Sequence, residues 1–324
     1  MAMTLAEYSK IAKDNLLGFI ADHFLMESNL MQILPWQTNK NLTVGIPSWD
    51  TLPTPSWRKL NASYSESTGT VKHQVESQYI LGHDIDVDVV LARASNTVED
   101  ARQLQRRMSA KAMAFEFNDV FINGDPASDE LKGLINRVTD VYNAGYTGQY
   151  IDGGSAAASG RGMLYDSTER HYFLDKLNQL IYAIAGHKPD ALLMNSKVLL
   201  AIESAFRREG LLSNSKDMFD RDITTFKGIP LIDVGLKADQ STEILPNTET
   251  LSGGTDETSI LAVKFGEEEY LWGLQQAPLE VRDLGEIDTQ PVYRDRVEWV
   301  VGLAISNPRS IARLYGIVAD SGAS

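Results

Sequence analysis

The sequence predicts an α+β fold, and three observations carry that prediction. A single long helical pattern runs from residue 97 to 122 and stops abruptly at Asn123-Gly124-Asp125-Pro126. Extended segments with a two-residue period lie on either side of it in the chain, near residues 70–88 and 294–305. Between them sits a compact helix–strand–helix unit, over residues 166–210. Helical and extended patterns together in one chain make the class α+β.

Composition narrows the function. A chain of 324 residues can bury a sizeable core and divides into one to three domains. Asp and Glu number 44 against 30 Lys and Arg, a formal net charge of −14. That surplus works against gripping phosphates, so sequence-specific nucleic-acid binding is not expected, although an acidic wall enclosing nucleic acid is compatible with it. There is no cysteine, which removes disulfides and thiolate metal sites and fits a reducing cytoplasm. No stretch approaches the roughly 20 apolar residues of a membrane span. The opening MAMTLAEYSK lacks the basic and apolar regions of a secretory signal.

Residues 4–24 predict an amphipathic helix, with Thr4 and Glu7 at capping-box spacing and Leu5, Tyr8, Ile11, Leu16, Phe19 and Phe24 along one face. Over residues 35–69, Pro35, Pro47, Pro53 and Pro55 alternate with Trp36, Trp49 and Trp57. Prolines remove donors and fix φ, which excludes a central strand or a helix. Three tryptophans are nonetheless too much apolar surface for a free linker. Two placements satisfy both facts: an irregular segment packed on its own domain, or an arm packed on another subunit.

Val71, Val75, Tyr79 and Leu81 alternate with polar residues after the turn Ser67-Thr68-Gly69, and residues 56–64 are the expected partner strand of a long hairpin. Asp84, Asp86 and Asp88 begin like a calcium loop. The sixth position is Val89 and the twelfth Ser95, where such a loop needs Gly and Glu. The segment reads instead as a strand with one acidic and one apolar face.

The long helix would be about 39 Å at 1.5 Å per residue. Asn96 or Thr97 caps it, and Glu99 and Asp100 suit its positive end. Ala101, Leu104, Met108 and Phe115 form an apolar stripe with Ala112 beside it, and Arg102, Arg106, Arg107 and Lys111 are read as the solvated or subunit-facing side. Residues 139–163, with DGGSAAASGRG, read as a flexible loop without the order of a phosphate-cradling motif. Phe173, Leu177, Leu180, Ile181 and Ile184 then define a helix capped by Asp166 or Ser167. Ala191–Met194 reads as a strand, and Asn195 or Ser196 caps a second helix carrying Leu199, Ile202 and Phe206 that ends at Gly210. Phe226–Val234, Ile260–Phe265 and Tyr270–Leu274 read as strands, with the polar stretch DQSTEILPNTETLSGGTDET as a surface loop. Arg294–Ile305 is a strand with Val297, Trp299, Val301 and Leu303 on one side. Asn307-Pro308 breaks it before a last apolar element, Ser310–Val318.

Nothing here asks for a catalyst. The five histidines, at 23, 73, 83, 171 and 187, form no H-x-x-x-H or H-E-x-x-H pair. There is no G-x-S-x-G elbow, and Glu267-Glu268-Glu269 reads as a solvated turn. No catalytic residue, cofactor or metal is expected.

Taken in order, these elements resemble the major capsid proteins of tailed bacteriophages with the HK97 fold. The resemblance rests on the arm, the Trp/Pro-rich approach to a hairpin, the helix ending in Phe-Ile-Asn-Gly-Asp and the "GL" after a short loop. It rests also on Leu-Leu-Met-Asn, on Gly228-Ile229-Pro230 and on the terminal RVEWVVGLAISNPRSIARLYGI. It covers essentially the whole chain. What it implies is an N-arm over 1–44, an E-loop with its approaches over 45–95 and a P-domain spine helix over 96–133. An A-domain over 134–285 follows, then the P-domain terminal strand over 286–306 and a return to the A-domain over 307–324.

On that resemblance the chain is a structural shell protein of the virion, assembled in the host bacterial cytoplasm into pentamers and hexamers of identical subunits. It encloses double-stranded DNA without specific binding and matures from a precursor shell. A separate scaffolding protein and a portal are implied partners, a decoration protein a further one, and no membrane is involved. Trp36, Trp49, Trp57, Tyr64 and Tyr79 are the candidate subunit-contact residues, since large aromatics anchor interfaces. Some members cross-link an E-loop Lys to an Asn by the terminal P-domain strand. Lys72 is present here, but no Asn lies around Gln290-Pro291-Val292, so no isopeptide bond is expected. No long helical extension is expected ahead of the arm, unless one is removed beforehand. The alternative is an encapsulin-type compartment of the same fold; a soluble enzyme ranks last.

Overall fold

A computed structural model of the chain describes residues 29–93, 101–154, 164, 167–211, 213–216, 222–254 and 256–319. The amphipathic segment expected over 4–24, the cap residues 96–100, Asp166 and most of the Gly/Ala/Ser run lie outside the described residues.

The helices are α1 (Asn29–Ile33), α2 (Val89–Arg93), α3 (Ala101–Asn123), α4 (Leu134–Asn143), α5 (Ser167–Ala183) and α6 (Ser196–Glu209). The first four strands are β1 (Trp36–Thr38), β2 (Thr43–Thr51), β3 (Thr70–Ser77) and β4 (Tyr79–Asp88). After them come β5 (Tyr150–Asp152), β6 (Ala191–Met194), β7 (Ser213–Lys216), β8 (Asp222–Phe226) and β9 (Ile229–Asp233). The last five are β10 (Thr258–Val263), β11 (Leu271–Gln275), β12 (Glu280–Glu286), β13 (Val292–Ile305) and β14 (Ile311–Ile317).

Among the described residues three sheets result. A seven-stranded mixed sheet runs β5-β14-β10-β6-β9-β8-β7. Its central strands are buried on both faces, so they read as continuous apolar runs. The two-residue period still sorts them. Leu192 and Met194 of β6, with Ile260 and Ala262 of β10, pack with Phe173, Leu177 and Leu180 of α5 and Ile202 and Phe206 of α6. Leu193, Leu261 and Val263 point to the other face and join the core built on α3. Asn195 caps α6 by accepting from Val198 N–H at 2.9 Å, and Gly210 ends the helix at φ 69. Phe226–Val234, expected as one strand, is two: the chain turns at Lys227-Gly228, both at positive φ, and β8 pairs back on β9.

The second sheet is built around β13. Ten residues of β4 pair along one edge of it, while β12 and β11 share the other edge end to end. Helix α3 packs on this sheet through Ala110, Met113, Ala114, Phe117 and Phe121. Trp36, Trp299 and Phe117 meet at the centre, with ring centroids 5.0 to 5.8 Å apart. Parallel pairing of β1 with β11 brings Trp36 opposite Gly273, where a Cβ would lie 2.4 Å from the indole. Only glycine leaves room for the ring.

The end of α3 answers to its sequence. Gly124 N–H closes the last turn on Val120 O at 2.8 Å, and Gly133 N–H returns to Gly124 O at 2.9 Å. A Cβ on Gly124 would lie 2.2 Å from Leu131 O, and one on Gly133 2.5 Å from Gly124 N. Asp125 caps the short turn between them through Ala127 N–H. The two glycines let the chain cross its own backbone and start α4 at Leu134. The region expected as a loop from 139 is therefore helical to Asn143. The polar stretch 239–258 is also not simply a surface loop. Ile244 and Leu245 are buried in the core, and Asn123 Nδ2–H holds Ile244 O at 2.9 Å.

Candidate assembly surfaces

The third sheet is the two-stranded hairpin β2–β3. The partner of Thr70–Ser77 is Thr43–Thr51, not the expected 56–64: Thr43 stands opposite Ser77, Ile46 opposite Gln74 and Trp49 opposite Val71. Pro47 is accommodated because both strands of a two-stranded ribbon are edges. Pro53 and Pro55 end the ladder, and residues 52–69 continue outward as an exposed finger. Its internal bonds are few. Thr54 N–H donates to Ser67 Oγ at 2.7 Å, Ala62 N–H to Lys59 O at 3.1 Å, and the Arg58 guanidinium lies over the Tyr64 ring at 5.1 Å. A finger of this length with no core of its own is marginal in water.

The candidate contact residues separate on this geometry. Trp57 and Tyr64 stand in the finger, exposed, with Leu52 and Leu60 beside them. Tyr79 begins β4 and is half-buried against the core of its own chain. Trp49 lies in β2, and its side chain is outside the described residues. Trp36 corrects the expectation: at 1% exposure its indole is core, packed on Trp299 and Phe117, and it has no surface to offer a neighbour.

Helix α3 presents a second apolar surface. The expected stripe of Leu104, Met108, Ala112 and Phe115 has helical period, but it is not the face that packs on the sheet. Leu104, Met108 and Ala112 are exposed, and the buried face is the opposite one. The helix is therefore apolar on two sides, the pattern of an element covered on both. The basic residues beside it are also not simply solvated. Arg102 donates to Asp295 at 2.5 Å, and Arg106 grips the same carboxylate at 2.8 and 2.9 Å. Asp295 is 1% exposed. It continues the inward series Val297, Trp299, Val301, Leu303, and an acid on that face needs a cation.

The outward face of the same sheet carries rungs of opposite charge. Asp84 takes Arg296 at 2.7 and 2.8 Å, Asp86 takes Arg294 at 2.5 and 2.6 Å, and Arg282 pairs with Glu298. Hydrogen bonds from Arg296 and Arg294 hold the Asp84 and Asp86 carboxyls below the usual carboxylate range. Asp84 and Asp86 are thus engaged across strands, as the acidic-face reading of β4 expected. Among the described residues no cluster of three or more His, Cys, Asp or Glu side chains is arranged to hold a metal. No helix among them is long and apolar enough to cross a membrane.

At the hairpin root lies a buried pair that the sequence reading missed. Arg137 of α4 donates to both oxygens of Glu76, at 2.7 and 2.9 Å, to Leu303 O at 2.8 Å and to Lys132 O at 2.9 Å.

The long helix, the overhanging hairpin and the two sheets form an HK97-like fold, and comparison with solved structures shows that fold. The holo-SrpI encapsulin complex from Synechococcus elongatus PCC 7942 is similar with a TM-score of 0.62 and 17% identity, over 98% of this chain and 97% of that one. The capsid of a native GTA particle is similar with a TM-score of 0.60 and 16% identity, over 90% and 91%. A Mycobacterium phage Bobi chain is similar with a TM-score of 0.59 and 12% identity, over 90% of each chain. Within that fold, residues 20–165 match the family model of major capsid protein GP7. The HK97-like fold drawn from the sequence is therefore shown, and residues 20–165 carry the likeness to a major capsid protein. No curated protein matches the chain.

Proposed function

We propose that the chain is the major capsid subunit of an icosahedral phage head, joining identical copies into pentamers and hexamers around double-stranded DNA. Of the N-arm over 1–44 and the E-loop over 45–95, the exposed finger at 52–69 is the part that reaches a neighbour, while Leu30, Trp36 and β4 stay in the subunit's own core. The segments over 96–133 and 286–306, with α3 and β13 in them, form the P-domain, and residues 134–285 with 307–324 form the A-domain. Head-to-tail contacts between unlike surfaces close into rings when the rotation closes. The finger and the outer stripe of α3 are such unlike surfaces. Trp57 and Tyr64 serve as anchors, and the negative charge of the chain lets DNA pack without being gripped. A separate scaffolding protein guides a precursor shell, which matures by concerted movement of rigid domains.

The observation that carries this reading is the finger. Eighteen consecutive residues, 52–69, stand in solvent with Leu52, Trp57, Leu60 and Tyr64 uncovered. Such a surface is stable only when another copy covers it. Electron microscopy of the purified chain, with and without its scaffold, tests the idea: shells, tubes or rings are expected. Trp57→Ala should remove about 2–4 kcal/mol from each contact and abolish shells while leaving the folded subunit intact. A wild-type chain that stays monomeric at every concentration, or a Trp57→Ala chain that assembles normally, refutes it.

The likeness to the SrpI encapsulin favours a second reading, a protein compartment. Nucleic acid within purified particles supports the head, and a captured protein in place of nucleic acid supports the compartment.

A further inference from the structure

The hairpin meets the rest of the molecule over a small area. Val44 and Ile46 sit on Trp272, Leu274 and Ala304. Beyond that seat two grooves open beneath the ribbon. One, of about 700 Å³, lies between Gln74 and Val75 on the hairpin and Lys132, Asp140 and Tyr146 on the body. The other, of about 600 Å³, lies between Pro47 and Leu52 on the hairpin and Tyr146, Tyr270 and Pro308 on the body. The ribbon overhangs open space and has room to move.

Its root is narrow. On one side the chain passes from β3 to β4 through the single residue Gln78, and on the other from β1 to β2 through residues 39–42. Gln78 joins the two: its N–H donates to Leu42 O at 2.8 Å, and its Nε2–H to Asn39 O and Asn41 O. Gly302 lets this crossing lie on β13, since a Cβ there would stand 2.7 Å from Ser77 O. The crossing is a pivot. Two residues out along the arm, Glu76 is held by Arg137, which is itself fixed to carbonyls of β13 and of the loop after α3. Gln74 Nε2–H also donates to Glu76, at 2.7 Å.

We propose that the Glu76–Arg137 pair is a latch that sets the inclination of the hairpin, and that releasing it frees the arm to swing about Gln78. At about 3.3 Å per residue, Glu76 lies roughly 7 Å from the pivot and the tip at Leu60-Asn61 roughly 56 Å, about an eightfold lever. A shift of about 1 Å at the ion pair therefore moves the tip by about 8 Å. Arg137 stands one turn into α4, just after Gly133, so a change in how α3 hands over to α4 acts directly on the arm. The pair suits this role because both side chains are almost fully covered and Arg137 is tied by two further carbonyls, so breaking it leaves a charge uncompensated at the edge of the groove. The inference builds on the shell reading in assigning that movement to the tip contact, but the latch is a property of the single subunit.

The absence of cysteine makes the test direct. Spin labels are placed on Leu60→Cys at the tip and Lys188→Cys on the body of the unassembled full chain, and the distance distribution is read by pulsed electron resonance. A second pair, Lys188→Cys with Leu200→Cys, reports on the body alone. The expected result is a narrow tip-to-body distribution that broadens at least twofold in Glu76→Gln and in Arg137→Met. Lys132→Ala, which leaves the Lys132 carbonyl in place, should not broaden it. The body pair should stay narrow throughout. Unchanged widths in both latch variants with a narrow body pair overturn the proposal. Should Arg137→Met broaden the body pair as well, Glu76→Gln, which keeps the side-chain shape, decides it. A chain that never forms shells yet broadens in this way keeps the latch and loses the shell reading, and the converse result does the opposite.

Discussion

Asp295 is where a single carboxylate ties the N-terminal turns of the long helix to its sheet. Its carboxylate, 1% exposed, takes Arg102 at 2.5 Å and Arg106 at 2.8 and 2.9 Å, and Arg102 also reaches Asp283 at 2.9 Å. Asp295→Asn keeps the shape and removes the charge. One oxygen still accepts, but the amide nitrogen opposes a guanidinium, and two cations are left facing each other. Removing one partner of a buried ion pair costs about 3–5 kcal/mol. The side chains of Arg102 and Arg106 retain 18% and 13% exposure, and Asp283 still neutralises part of the charge, so the lower end applies. We expect about 3 kcal/mol. Asp283→Asn is the control: that carboxylate is 46% exposed, and its loss should cost less than about 1 kcal/mol. Urea unfolding of the unassembled chain reads both as midpoint shifts at constant slope. If Asp295→Asn falls within about 1 kcal/mol of the parent, or if Asp283→Asn costs as much, the clamp does not hold the helix as described.

Other expectations follow from the same geometry. Gly124→Ala forces a methyl to 2.2 Å from Leu131 O and 2.5 Å from Val120 O, two backbone atoms, and should cost at least about 3 kcal/mol, visible as lost soluble yield or a lowered melting midpoint. Trp36→Ala should lose about 3–5 kcal/mol of subunit stability, while Trp57→Ala should leave the melting midpoint of the unassembled subunit unchanged; equal effects would contradict the burial difference between them. Asp84 and Asp86 titrate below their unfolded value, so their ion pairs contribute fully above about pH 4 and are lost as acidification passes through the lower folded value. Urea midpoints between pH 5 and 2.5 should therefore fall less steeply in Asp84→Asn/Asp86→Asn than in the parent. Glu116, pushed up by burial and by Asp119 and Glu130, runs the other way. Glu116 is nonetheless solvent-exposed and its charge is screened, so Glu116→Gln should raise stability at pH 7 only slightly, and the gain should shrink as pH falls into the unfolded carboxyl range.

Much of the fold was legible because local rules and tertiary packing agreed. The caps of α6, the apolar face of α5 and the run Ala191–Met194 follow from period and capping alone, and the stop after Asn123 from its glycine. The failures have definite causes. Periodicity finds an apolar stripe but not which side the sheet lies on, so it points to Leu104 and Met108 where the sheet takes Met113 and Phe117. The hairpin partner was misplaced because the nearest extended segment was favoured over Thr43–Thr51, which contains Pro47. Trp36 was grouped with Trp57 by composition, although one fills the core and the other stands in water. Asp295 had a visible signal: it shares the parity of Val297 and Trp299, and Arg102 and Arg106 are one helical turn apart. The pairing of Glu76 with Arg137 had none, since 61 residues separate them and only the crossing at Gly124 and Gly133 brings them together.

The position of β13 and β14 bears on synthesis. One is the middle strand of its sheet, and the other is inserted between β5 and β10. A nascent chain still lacking residues 292–317 has β4, β11 and β12 with no template to join them, and β5 cut off from its layer. Neither half of the subunit can close its sheet before residues 292–317 have been made, so closure of both layers waits on the same late segment.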